Sequence, residues 1–188
     1  MRQTRRMRLL YLLLAVAAAG AVTSAPAAAA AGAIRFTASQ MGVPLQGAFG
    51  NFVAEVDFDP GRPQAGAVRV RVAVGSVDAG ANSANELLRG ESFLDAAHYP
   101  QASFEAKEFH ARGDGQYVAT GAFTLKGRSV SVPVAFTTAS GAGGRSFDGT
   151  FTVSRLFFQV GQGEWADTST LDDAVQVQFH LVQDAPPR

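Results

Sequence analysis

A chain of 188 residues with sixteen acidic and sixteen basic side chains carries no net formal charge, and it contains no cysteine. Disulfides, iron–sulfur clusters and thiol nucleophiles are thereby excluded, and without a basic excess there is no electrostatic footprint for nucleic acid. The length suits one domain able to bury most of its apolar surface without staples.

At the N-terminus Arg2, Arg5, Arg6 and Arg8 precede an apolar stretch over residues 9–22, followed by the small residues Thr23, Ser24 and Ala25. This pattern predicts a cleaved export signal, with an apolar part shorter than the roughly 20 residues of a membrane-spanning helix. Arg8 stands where a twin-arginine signal prefers an apolar residue, so the general secretory route to the periplasm is expected. Residues 1–32 therefore read as signal and Ala-rich linker, and residues 33–185 as one domain. Without the four leader arginines, twelve basic side chains face sixteen acidic ones.

From Ile34 to Val182 apolar and polar residues alternate between Gly-rich turns, and all fourteen phenylalanines fall in this span. In the first strand Ile34, Phe36 and Ala38 face one way, and Arg35, Thr37 and Ser39 the other. A turn with Gly42 and Pro44 leads to the second, where Phe52, Ala54, Val56 and Phe58 share a face. Phe49 is out of phase with them, which predicts a bulge or bend near Gly50-Asn51. Val68, Val70, Val72 and Val74 form the apolar face of the third. Ser83 and Glu86 have the spacing of a capping box and predict a short helix at residues 83–90, with Leu87, Leu88, Phe93 and Leu94 packing over one end. Strands follow at 102–111, 117–125, 130–136, 147–155 and 175–182, each bounded by turn residues. Pro133, inside the sixth, requires an edge or bulge. The expected fold is all-β: an eight-stranded antiparallel barrel with one short helical segment. Such a barrel is filled by its own side chains or holds one slender ligand, and the pattern leaves both open.

Residues that could carry chemistry are sparse. There is no Gly-x-Ser-x-Gly turn for a serine nucleophile. His98, His110 and His180 share no metal-binding spacing on one element, and Asp57, Asp59, Asp172 and Asp173 read as turn residues or strand neighbours. Gly141, Gly143 and Gly144 lack the lysine and helix start of a phosphate loop. No catalytic residue, metal ligand or cofactor is assigned, and the chain reads as a non-enzyme. What remains is apolar capacity: Phe36, Phe52, Phe104, Phe123, Phe136, Phe151 and Phe179, with Val70 and Val72, on faces that can line an interior.

Several short motifs, in order, resemble the YceI-like polyisoprenoid-binding family. They are Met41-Gly42-Val43, Gly47 to Phe49, Leu88 to Phe93 leading to Tyr99-Pro100, Ala102-Ser103-Phe104, Gly121 to Gly127, Arg155 with Phe158, and Gly161-Gln162-Gly163-Glu164-Trp165-Ala166-Asp167. The resemblance implies an exported lipocalin-like barrel that binds an isoprenoid-type lipid, polyprenyl or quinone-like, in its interior for sequestration or transport. The alternative is a structural or stress-protective barrel with a filled core. The Gly-x-Gly-Glu-Trp ending is similar to a subgroup found alone or beside membrane b-type cytochromes, so such a cytochrome, and a second copy of the chain, are the candidate partners besides the lipid. The resemblance places Arg155, Phe158 and Trp165 nearest the pocket. Arg155 is either the partner of an anionic or phenolic head group or part of an outward salt bridge; Trp165 either stacks on a ring or plugs a barrel end. Where many relatives have His after the first strand this chain has Gln40, which cannot titrate near neutral pH.

Overall fold

The computed structural model describes residues 28–141 and 144–183; the leader expected at the N-terminus lies outside them. Ten strands and one helix succeed one another: β1 (Ala28–Gln40), β2 (Val43–Phe49), β3 (Phe52–Asp57), β4 (Ala67–Ala73), β5 (Val77–Asp78), α1 (Asn82–Arg89), β6 (Gln101–Gly113), β7 (Gln116–Leu125), β8 (Arg128–Gly141), β9 (Gly144–Ser154) and β10 (Ala174–Gln183). Neighbours pair antiparallel in the order β10-β9-β8-β7-β6-β4-β3-β1, and β1 returns to β10, which closes an eight-stranded barrel. The eight strands expected from alternation are these eight. β2 and β5 form a flap on β1 that alternation alone did not separate from the neighbouring turns.

β1 begins five residues before the domain start expected at residue 33. Ala30, Ala31 and Gly32 pair with Gln183, Val182 and Leu181 of β10, while Ala28 to Ala30 pair with Val56 to Ala54 of β3 and seal the ring. Alanine carries no pattern, so periodicity could not reveal that part of the Ala-rich segment is barrel wall. The chain bends between β2 and β3 at Gly50-Asn51, as the phase of Phe49 predicts; Gly50 N–H bonds to the Ser76 carbonyl and Asn51 N–H to the Ser76 hydroxyl. Pro133 faces Thr120 of β7, and the ladder between β8 and β9 runs only from Ala135↔Thr150 to the hairpin turn. Pro133 thus occupies the stretch of β8 with no partner on its β9 side, where no second donor is needed. Val132 and Val134 on one side of this parting and Val153 on the other pack around Phe158, from the loop after β9.

The helix starts at Asn82, with Ala81 as its cap residue and no side-chain cap. Ser83 is therefore inside the first turn, and the capping-box reading is corrected. Asp78 and Asn85 organise the turn instead: the Asn85 side-chain oxygen accepts from Ala79 N–H and its amide donates to Asp78. At the other end Arg89 donates to the carbonyls of Gly75 and Val77, placing a cation where the helix dipole favours one. Leu88 packs against the core, whereas Leu87 is exposed.

The two ends of the barrel differ. At one, Phe58 lies at the centre of an aromatic cluster, its ring 5.4, 5.0, 5.3 and 6.0 Å from those of Phe109, Tyr117, Phe136 and Phe147. At the other, long connections fold over the opening and bond to one another. Gly161 and Gln162 N–H both donate to the Ser92 carbonyl, Met41 N–H to Thr170 and Asp172 N–H to Ser39.

Candidate functional site

Alternation sends every second side chain of each strand into the barrel. The interior is not filled. A cavity of about 820 Å³, counted with its open part, lies between the inner faces. Its lining extends from Phe58, Phe109 and Phe147 near one end to Val72 and Ala102 toward the other, so the space is a tunnel along the barrel. Every lining residue is apolar except Ser103, which stands between inward Ala102 and inward Phe104 on β6. Val68, Val70, Phe104, Phe123, Phe151 and Phe179 all line it and are only half-buried.

Of the residues expected from the sequence, Val70, Val72, Phe104, Phe123, Phe136 and Phe151 line the tunnel. Phe36 and Phe52 pack against the core beside it, Phe36 with its ring 5.7 Å from that of Phe49. Phe158 is fully buried, its ring edge-on to Phe123 at 5.2 Å. Trp165 lies over the lidded end, 5.6 Å from Phe93. The lining also includes Ile34, Phe58, Phe109, Phe147, Val177 and Leu181, which the site reading left out. Simple alternation could have found Phe58. Phe109 was hidden by a register shift between Ala106 and Glu108 that swaps the faces of β6.

Arg155 is neither outward nor free. It is 3 % exposed, and its guanidinium donates to the carbonyls of Asp172, Val160, Gly161 and Leu171. Burial lowers its pKa from the ordinary arginine value, against the opposing pull of Asp173 and Asp172. These bonds lash the loop after β9 to the start of β10. Lys126, in the β7–β8 turn, donates to Glu91 and Gln159 carbonyls, and desolvation lowers its pKa too. Arg128 donates to Phe157. Three cations are thus engaged with main-chain carbonyls around the lid, with none of them aimed into the tunnel by these bonds.

The histidines pair with carboxylates: His98 with Asp95 at 2.8 Å, His110 with Glu108 at 3.0 Å and His180 with Asp148 at 2.6 Å. Among the described residues no three His, Cys, Asp or Glu side chains gather as a metal site. Exposed apolar side chains, by contrast, gather at one end. Among the described residues Met41, Val43 and Leu45 on the β1–β2 hairpin, Leu87 on α1, and Tyr99 and Phe157 on the connections all belong to the lidded end, and Val53 is the second residue of β3, which starts there.

A model of the YceI-like domain matches residues 27–183, which is the whole barrel. The chain belongs to the YceI-like family. UPF0312 proteins of Yersinia pestis (strain Pestoides F) and Shewanella sp. (strain ANA-3) are 39 % identical over 102 residues and 33 % identical over 104. These matches cover 54 % and 55 % of this chain and 52 % and 53 % of the relatives, so the chain spans about half the length of the curated relatives it matches. Among solved structures, BcnA of Burkholderia cenocepacia superposes with a TM-score of 0.79 at 38 % identity, covering 80 % of this YceI-like chain and 95 % of that one. A polyisoprenoid binding domain from Saccharophagus degradans superposes at 0.69 with 14 % identity, covering 86 % and 100 %, a likeness of fold alone.

Proposed function

We propose that this YceI-like barrel binds one slender apolar lipid of the isoprenoid class, polyprenyl or quinone-like, along its axis, and sequesters or shuttles it without covalent chemistry. The observation that carries the reading is the tunnel itself, unfilled and apolar apart from Ser103. A filled core, the alternative considered from the sequence, does not leave such a space. Burying ten methylene groups there gains on the order of 8 kcal/mol before ordering costs, enough for useful affinity with no polar grip. That matters here because Arg155 is already committed to four carbonyls. The aromatic cluster around Phe58 favours loading at the opposite, lidded end, where the exposed apolar residues collect. The Saccharophagus domain, which is described as polyisoprenoid-binding, supports the ligand class. The Arg-rich, apolar leader supports export to the periplasm.

The test is native mass spectrometry of protein purified from the periplasm, followed by organic extraction of whatever travels with it. A stoichiometric prenyl-chain lipid or quinone is expected; a protein that is empty and also refuses added isoprenoids would return the barrel to a purely structural role. The same spectrum reports a dimer or a co-purifying b-type cytochrome. Phe123→Asp and Phe151→Asp each place an unpaired charge against an apolar ligand. They should abolish uptake, and a folded variant that still loads lipid would remove that residue from the site.

A further inference from the structure

Three inward glycines lie beneath three inward phenylalanine rings. A methyl group on Gly149 would fall on Cζ of Phe179, with Cε1 at 2.7 Å; one on Gly121 would lie 2.8 Å from Cζ of Phe104; one on Gly47 would lie 2.6 Å from Cε1 of Phe36. Phe179 and Phe36 directly face their glycines across β9–β10 and β1–β2. Phe104 reaches Gly121 diagonally, since Gly121 faces Ala106. None of the three glycines has a positive φ, so backbone conformation does not call for glycine at these places. Glycine also weakens a strand. Packing gives the reason: each ring leans back against the neighbouring strand, in the volume a Cβ would occupy, instead of projecting toward the barrel axis.

Phe104 and Phe179 are tunnel-lining. We propose that Gly121 and Gly149 set the bore of the tunnel, and so admit a thin hydrocarbon chain, by letting the rings of Phe104 and Phe179 lie flat against the wall. The inference rests on the reading that the tunnel holds a lipid. It differs from a role for glycine in the wall alone, which the nearness of backbone oxygens would also suggest: a methyl on Gly149 would be 2.6 Å from the Ala135 carbonyl oxygen, and one on Gly121 2.5 Å from that of Glu105.

Rescue separates the two roles. Binding of cis-parinaric acid, a slender fluorescent polyene, and its displacement by geranylgeraniol would be measured for the full chain and for Gly149→Ala, Phe179→Leu and the double variant, each with a thermal melt. Gly149→Ala should bind at least tenfold more weakly, because the ring is pushed into the bore. The double variant should recover at least half of the lost binding energy relative to Phe179→Leu, because leucine has no ring atoms where the new methyl goes, while the Ala135 carbonyl oxygen, 2.6 Å from that methyl, must still shift in both alanine variants. Unchanged affinity in Gly149→Ala would overturn the proposal. So would a double variant as impaired, or as unfolded, as Gly149→Ala, since the wall would then be what needs the glycine. A wild-type protein that binds neither compound would fail one step earlier, taking the lipid reading and this inference together.

Discussion

Replacing Arg155 with alanine would strand the carbonyls of Asp172, Val160, Gly161 and Leu171 under the lid. A buried carbonyl left without a partner costs about 1–3 kcal/mol, so Arg155→Ala should lose about 3 kcal/mol or more in urea unfolding. Arg155→Lys should recover only part, because an ammonium cannot reproduce the planar fork. An outcome near zero would mean that the guanidinium is free for a ligand after all. Gly32 is a second such residue: its φ of +151° and the closeness of the His180 carbonyl oxygen leave no room for a side chain. Gly32→Ala should therefore lower stability by more than about 1 kcal/mol, a loss visible as a drop in Tm. Both residues were visible in the sequence, Arg155 as part of a motif and Gly32 as one small residue in an alanine run, but neither role was. Four carbonyls make the arginine's environment, and two of them, Leu171 and Asp172, come from a segment 16 and 17 residues away.

At the scale of the element, α1 provides a direct check on what sequence patterns mean. The Ser83 and Glu86 spacing is that of a capping box, yet Ser83 lies inside the helix and Asn85 ties the turn to Asp78 and Ala79. Ser83→Ala should change stability by no more than about 0.5 kcal/mol, while Asn85→Ala should cost about 1 kcal/mol, comparable to loss of a cap; chemical denaturation of the two variants decides between the readings. The strands were more legible. Alternation located all eight barrel strands, because each buries one face and wets the other. It failed where that contrast fades: in the alanine run that opens β1, in the exposed β2 flap, and past the register shift in β6 that turns Phe109 inward.

For the molecule as a whole, the exposed charges set a pH window. Backbone N–H groups of Gly61, Gly80 and Ser169, with smaller help from side chains, hold Asp59, Asp78 and Asp167 below the ordinary carboxylate value. Their contribution is present above that ordinary value, near pH 4, and is lost as pH falls through the lowered values. His98 works the other way: its hydrogen bond and attraction to Asp95 raise its pKa, so its contribution is complete below about pH 6.5 and is lost as pH rises through the raised value. Tm against pH should accordingly fall on the acid side, and His98→Gln should flatten the decline above neutrality without altering the acid limb. A variant whose alkaline limb is unchanged would show that the His98–Asp95 pair contributes nothing.

Period-2 alternation, turn residues and the placement of fourteen phenylalanines were enough, by themselves, to determine eight amphipathic strands with an apolar face and to point to a barrel, since those signals depend only on neighbours along the chain, whereas closure rests on the pairing of β1 with β10. Whether that interior is solid or hollow was decided by tertiary structure alone. It depends on which strand each ring leans on, and the tunnel rings of Phe104 and Phe179 lie against glycines of neighbouring strands. The same holds for the lid, where Lys126, Arg128 and Arg155 bind carbonyls from other segments. Volume left between side chains is a property of their joint packing, and no stretch of sequence contains it.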